Sequence, residues 1–333
     1  MRSRRVLYTM PKRAGRPVHL LQRLEEAGFV VEQSPEGRHL TEDELIARLP
    51  GVWATIAAGE PYTERVFAAA APDLRLVSRH GVGYDNVDLA AADRHGVAVT
   101  VTSGTNAEAV ADLTVGLMCA VRRQILQHDR GVRQGRWQAE CVPGLWRATV
   151  GIVGLGRIGR RVVKRCLGFG MHILAAEPKP DLEFVEGHAI ELVSLDKLFS
   201  QADIITLHAP VSPENTHLVN RARLAKMKST AILINTARGE LVDEVALFEV
   251  LCAGKIAGVG LDVFTEEPPI GSPLLDLDNA VLTPHCAEFD HTSAMATMTR
   301  AVDNVLHFVR GEPLTFPADL LNPEVLVRAS REV

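Results

Sequence analysis

An arginine, a glutamate and a histidine in the second half of the chain each follow an apolar run that reads as a strand: Arg238, Glu267 and His285. A guanidinium stays charged and can grip a carboxylate through two parallel N–H bonds, so Arg238 suits the holding of an anionic ligand. An imidazole trades its proton near neutral pH, so His285 suits protonation of a carbonyl oxygen. A carboxylate on the far ring nitrogen fixes the tautomer and favours the imidazolium, and Glu267 suits that role. Each residue also has a plain structural reading. The arginine can pair with a structural acid, the glutamate in its Glu-Glu-Pro loop can be solvated, and the histidine can end a strand. As a set they favour chemistry, because ligands of open parallel sheets bind at the C-terminal strand edge.

A second constellation lies upstream. Gly154-Leu155-Gly156-Arg157-Ile158-Gly159 is a GxGxxG, led into by a strand pattern over 149–153 and followed by a helix pattern from Ile158. Its first glycine permits a tight turn, its second a close approach of pyrophosphate, and its third the packing of helix on strand. The helix N-terminus then offers unpaired N–H groups to phosphate. An acid is expected about 20 residues on, at the end of the next strand. Glu177 stands 18 residues after Gly159. There it would hold ribose hydroxyls and repel a 2′-phosphate, which favours NAD over NADP.

The elements that must position these groups alternate. Strand-like runs at 5–10, 29–32, 52–57, 74–78 and 97–101 are separated by helical patterns at 17–27, 41–49, 63–70 and 88–95. A long helix is predicted over 106–130 from Val110, Leu113, Leu117, Val121 and Ile125, at steps of three and four. Further strands are predicted at 150–153, 172–175, 204–208, 231–235, 258–261 and 281–283. The pattern over 291–310 reads as a helix that returns to the first domain. This alternation implies an α/β chain with two parallel-sheet domains, discontinuous in sequence. The boundaries fall at 1–103 with 289–333, and at 104–288.

The chain has 333 residues, and 47% are hydrophobic, enough for large cores. Net charge is −5 with basic residues spread along the chain, which argues against nucleic acid or an anionic membrane as partner. The cluster Arg2, Arg4 and Arg5 reads as a solvated N-terminus rather than a basic arm. No apolar run is long enough to span a membrane or to serve as a signal peptide. The five cysteines show no metal-ligand spacing, so neither a metal nor a disulfide framework is expected, and the setting is a reducing cytoplasm. Cys286, beside His285, reads as a buried inert thiol rather than a redox sensor.

Six blocks, in order, resemble the D-isomer-specific 2-hydroxyacid dehydrogenases, the group that includes phosphoglycerate dehydrogenase. They are Arg79-His80-Gly81-Val82-Gly83-Tyr84-Asp85-Asn86-Val87-Asp88, the glycine motif, Leu207-His208-Ala209-Pro210 with Thr216, Ile234-Asn235-Thr236-Ala237-Arg238-Gly239, Leu261-Asp262-Val263-Phe264-Thr265-Glu266-Glu267-Pro268, and Leu282-Thr283-Pro284-His285. The resemblance covers nearly the whole chain. It implies two doubly wound domains, a Rossmann NAD-binding domain and a flavodoxin-like substrate domain, with the active site in the cleft between them. It also implies a homodimer through the nucleotide domain. It gives Arg238, Glu267 and His285 the roles derived above. It places Asp262 beside the nicotinamide, and makes His208, Ala209, Pro210, Thr216, Thr236 and Ala237 cofactor-loop residues. The first block looks like the substrate loop, in which the N–H groups of Gly81, Val82 and Gly83 would hold a carboxylate, with Arg79 and His80 as cationic neighbours.

The sequence departs from that pattern in two places. Phosphoglycerate-binding relatives tend to carry arginine after the third strand, whereas Ile56-Ala57-Ala58-Gly59-Glu60-Pro61 holds no basic residue. After His285 the family continues with small residues, whereas here Cys286-Ala287-Glu288-Phe289-Asp290 follows. Glu288 could narrow substrate choice by accepting a hydrogen bond; Asp290 suits a helix N-cap. The expected activity is hydride transfer between NAD(H) and a small 2-hydroxy or 2-oxo acid. Phosphoglycerate dehydrogenase proper and an NAD(H)-sensing corepressor-type binding protein are the alternatives. Formate enzymes of this scaffold carry Gln where Pro284 stands.

Overall fold

A computed structural model describes residues 4–11, 17–35 and 37–325. Among the described residues twelve strands form: β1 Arg4–Tyr8, β2 Phe29–Gln33, β3 Val52–Ala57, β4 Leu76–Arg79, β5 Ala98–Thr100, β6 Thr149–Val153, β7 His172–Ala176, β8 Glu191–Leu192, β9 Ile204–Leu207, β10 Ile232–Asn235, β11 Gly258–Leu261 and β12 Ala280–Leu282. They divide between two compact units, residues 1–106 with 289–333, and residues 107–288.

The first unit holds a parallel sheet in the order β2-β1-β3-β4-β5. Successive strand residues face opposite sides of a sheet. Leu7, Ala57 and Val77 therefore enter one apolar layer, while Val6, Ala54, Ile56 and Leu76 enter the other. The helix His291–Arg310 supplies Met298, Ala301, Val302 and Val305 to the second layer. Asp290 caps it, its Oδ1 accepting from Ser293 N–H at 2.6 Å. Arg4 and Arg5 belong to β1 rather than to a solvated end. Arg4 lies over the Trp53 ring at 5.0 Å, and Arg5 donates to the Pro50 carbonyl at 2.7 Å and pairs with Glu32. Arg2 lies outside the described residues.

The second unit holds a seven-stranded parallel sheet in the order β12-β11-β10-β9-β6-β7-β8. Winding reverses between β6 and β9, as in a Rossmann sheet. β9 reads Ile-Ile-Thr-Leu and is fully buried, the continuous apolar signature of a strand covered on both faces. Ile204, Ile232 and Ile234 pack on one side with Leu117 and Met118; Ile205, Leu233 and Leu207 pack on the other with Phe199 and Leu247.

Two expectations are corrected here. The helix predicted over 106–130 is two helices, Ala107–Arg122 and Ile125–Arg133. Gln124 between them takes φ +49, a left-handed conformation that ends the first helix. The apolar period runs through the break without a glycine or proline to mark it, and Ile125 ends up exposed. The other miss is β8, a two-residue edge strand whose residues are both exposed and leave no apolar signal.

Candidate active site

Three consecutive strand ends of the second unit bring the triad together. After β10, Asn235 shapes the turn: its Nδ2 donates to the Arg238 carbonyl at 2.7 Å, and its Oδ1 accepts from Ala237 N–H at 3.0 Å. Thr236 is anchored from the helix Ala107–Arg122 through Thr114, with hydroxyls 2.8 Å apart. Gly239 then lies against the loop after β11. A Cβ there would stand 2.0 Å from Phe264 C and 2.2 Å from Thr265 N. That loop carries Glu267, whose Oε1 accepts from Phe264 N–H at 3.0 Å. Its Oε2 meets Nδ1 of His285, on the loop after β12, at 2.7 Å.

Asp262 locks the histidine loop from below. It is fully buried, and both oxygens are engaged: Oδ1 accepts from Thr283 Oγ1 at 2.6 Å and Cys286 N–H at 2.9 Å, and Oδ2 from Ala287 N–H at 2.9 Å. His285 N–H donates to the Asp262 carbonyl at 2.8 Å. His285 itself has φ +47. A non-glycine residue rests there only when its surroundings over-determine it, and the Asp262 bonds on both sides do so.

The electrostatics follow. The hydrogen bond to Glu267 raises the His285 pKa; burial opposes it, the charges of Glu267 and Asp262 add to it, and Arg238 opposes it. The net shift is upward from the ordinary imidazole value. Burial pushes Glu267 up, but the bond and charge of His285, the Phe264 N–H and Arg238 outweigh it and hold that carboxyl below its usual range. With Nδ1 committed to Glu267, Nε2 is the atom left to exchange a proton.

The glycine turn meets the requirements of a dinucleotide. Gly154 has φ +96, and a Cβ on it would fall 2.6 Å from the His208 carbonyl oxygen. A Cβ on Gly159 would fall 2.0 Å from the Gly154 carbonyl oxygen, whereas one on Gly156 meets nothing. So the first and third glycines are demanded by the protein itself, and the second faces open space. The helix Arg157–Gly168 begins there without a side-chain cap, which leaves its first N–H groups for an anion. Glu177 reaches this turn: Oε2 accepts from Leu155 N–H at 2.8 Å and Oε1 from Lys179 N–H at 3.0 Å. His208 places Nε2 3.0 Å from Thr206 Oγ1, and its buried Nδ1 has no partner among the described residues. Burial drives its pKa down to about 3, so the ring is neutral. Pro210 accepts from Asn215 at 2.6 Å, and Thr216 donates to the Ser212 carbonyl at 3.1 Å, bracing the loop after β9.

Residues 79–83 stand at the C-terminal edge of the first unit's sheet, at the end of β4. Two of them are engaged within their own unit. Gly81 N–H is taken by Thr102 Oγ1 at 3.0 Å, so it is not free for a carboxylate. Arg79 is buried, and its Nε and Nη2 close its own loop on the Gly83 carbonyl at 3.2 and 2.8 Å. Sequence reasoning missed Asn235, Gly239 and Thr283 as site-builders. An asparagine that ends a strand and opens a turn was a usable signal for the first.

The NAD binding domain of the D-isomer specific 2-hydroxyacid dehydrogenases, as a sequence profile, matches residues 115–287. The chain belongs to this family. It is an oxidoreductase with NAD as cofactor. A glyoxylate reductase of Korarchaeum cryptofilum is 41% identical over 274 residues, 80% of this chain and 81% of that protein. A hydroxypyruvate reductase of Thermotoga maritima is 40% identical over 253 residues, 74% of this chain and 81% of the relative. The crystal structure of the TT0316 protein from Thermus thermophilus superposes with a TM-score of 0.87 at 38% identity, over 95% of this chain and 99% of that one. No helix among the described residues is long and apolar enough to cross a membrane.

Proposed function

We propose that this dehydrogenase interconverts a small D-2-hydroxy acid and its 2-oxo acid, with His285 as the acid/base. The observation that carries this reading is the 2.7 Å Glu267–His285 pair beside Arg238 on one strand edge. Arg238 binds the substrate carboxylate. The Nε2 proton of His285 passes to the carbonyl oxygen as C2 is reduced, and Glu267 holds the charge on the ring before transfer. When bound, the reduced nicotinamide supplies the hydride. Gly154, Gly156, Arg157, Ile158 and Gly159 would cradle the pyrophosphate, and Glu177 would turn from Leu155 to the ribose hydroxyls. His208, Ala209, Pro210, Thr216, Thr236, Ala237 and Asp262 would border the rest of the cofactor. The first unit would act as the substrate domain, through Val82 and Gly83 N–H and His80.

The relatives named for glyoxylate and hydroxypyruvate reduction support a short 2-oxo acid as substrate. A homodimer through the second unit is part of the proposal. It is supported by Ile125, Leu126 and Val132 exposed on the helix Ile125–Arg133, and by Trp137, 89% exposed in the segment after it. A cytoplasmic setting belongs to the same proposal.

The test is NADH and NADPH oxidation by the purified chain with glyoxylate, hydroxypyruvate, pyruvate and bulkier 2-oxo acids. NADH-dependent turnover of at least one short acid, with NADPH poorer, is expected. Tight NADH binding with background turnover on every acid would favour the binding-protein reading instead.

The pH profile of the reductive kcat/KM tests the dyad. The raised His285 pKa means the proton donor is present below that value and lost as pH rises through it. Glu267→Gln removes the main cause of the rise. Its alkaline limb should move to lower pH, with a deficit of about tenfold or more at pH 8 that shrinks toward pH 6. An unmoved limb would count against the dyad.

A further inference from the structure

The loop that carries Glu267 leaves β11 without regular structure. Two of its N–H groups are held by carboxylates. Phe264 N–H goes to Glu267 itself, and Thr265 N–H donates to Glu244 Oε1 at 2.7 Å. Among the described residues, the bond to Glu244 is the one hydrogen bond that ties residues 263–266 to another element.

Glu244 is itself firmly placed. It opens the helix Glu244–Cys252, whose Ala246, Leu247 and Leu251 are buried. Asp243 caps that helix, its Oδ1 accepting from Ala246 N–H at 3.0 Å, while Asp243 N–H donates to the Val219 carbonyl at 3.0 Å. The short turn Gly239–Leu241 joins the helix start to Arg238. Leu241 N–H donates to the Arg238 carbonyl at 3.3 Å, and Val242 N–H to the Gly239 carbonyl at 2.9 Å. The packing of Gly239 on Phe264 and Thr265 limits how closely the two loops approach. The Glu244 bond limits how far they part. A hydrogen bond weakens steeply as its geometry opens, so the 2.7 Å contact of Glu267 with His285 depends on where residues 264–267 rest.

We propose that Glu244 is a positioning residue: by holding Thr265 N–H it keeps the Glu267 carboxylate on His285 Nδ1. All of these residues belong to the second unit. The benefit to turnover rests on the reaction proposed above; the effect on the His285 ring does not. The bond to Glu267, on the loop after β11, leads what raises the His285 pKa. The charges of Glu267 and of Asp262, at the end of β11, add to it, and burial and Arg238, after β10, oppose it. Glu244 therefore reaches the ring through the loop.

The test is the titration of His285 in the purified chain, followed by NMR of the ring Cε1–H signals. The His285 signal is the one missing from His285→Asn. Glu244→Ala removes the acceptor, whereas Glu244→Gln loses the same charge and keeps an acceptor oxygen. Glu244 is half-buried at a helix start, and alanine and glutamine are both good helix formers, so both variants should fold. The midpoint of Glu244→Ala should lie below that of the wild type, and that of Glu244→Gln should stay near it. The alkaline limb of the reductive kcat/KM should follow: Glu244→Ala should lose about threefold or more at pH 8, a deficit that shrinks toward pH 6, and Glu244→Gln should recover it. A merely structural role would lower the melting temperature and leave the midpoint in place. The proposal is overturned if Glu244→Ala titrates like the wild type, or if Glu244→Gln is displaced as far as Glu244→Ala. Variants that titrate as expected in a protein that turns over no 2-oxo acid would sink the reaction and leave the positioning role standing.

Discussion

Replacing His285 by alanine should lower NADH-dependent reduction of the best 2-oxo acid by about a thousandfold and leave NADH affinity within about twofold. The imidazole is half exposed, so its loss creates little cavity. What disappears is the Nε2 proton and the partner that holds Glu267 ionised. The backbone there has φ +47, which alanine tolerates less well than asparagine. His285→Asn is therefore the companion variant: it accepts the left-handed conformation and still lacks the acid. Steady-state kinetics and NADH titration on both proteins check the expectation. Equal loss of turnover and binding would argue that His285 holds the loop rather than donates a proton.

Gly239→Ala should lower turnover by about a hundredfold, because misplacing catalytic groups by about an ångström has that effect. The added methyl would meet Phe264 C, Thr265 N and Phe264 O at 2.0, 2.2 and 2.3 Å. These are backbone atoms and cannot rotate away. Either the turn that carries Arg238 or the loop that carries Glu267 must shift. Stability should fall by about 1–3 kcal/mol, the usual cost of overpacking, and thermal melting would detect it. NADH binding should suffer less than turnover, since the glycine turn at 154–159 belongs to other strand ends. A variant with normal kinetics would show that the Arg238 and Glu267 loops are not coupled through this contact.

Much of this was legible in the sequence because strands buried on both faces read as near-continuous apolar runs. Ile204–Leu207 and Ile232–Asn235 announce themselves in that way. The triad was legible because charged and titratable residues that follow such strands fall at the ligand-binding edge. Other features were not. Gln124 breaks a helix without leaving the apolar period, so periodicity runs through the break. Gly239 was visible only as part of a turn; its reason is a contact with a loop 25 residues away, which local pattern cannot report. Asp262 was visible only as an acid at a strand end; that both its oxygens hold the loop around His285 is a tertiary arrangement that spacing does not encode. Gly81 N–H was expected to bind a carboxylate, but Thr102, on the next strand's exit, takes it.

In the proposed reaction His285 protonates a 2-oxo acid while a hydride from NADH reduces its C2. The most direct measurement is reduction of hydroxypyruvate or glyoxylate by the purified chain with NADH deuterated at the transferring position, followed by mass and chiral analysis of the product. Stoichiometric NADH oxidation, one deuterium on C2 and, from hydroxypyruvate, the D-hydroxy acid alone are expected. NADH that binds but is not oxidised, a product without deuterium at C2, or the L-hydroxy acid would contradict it.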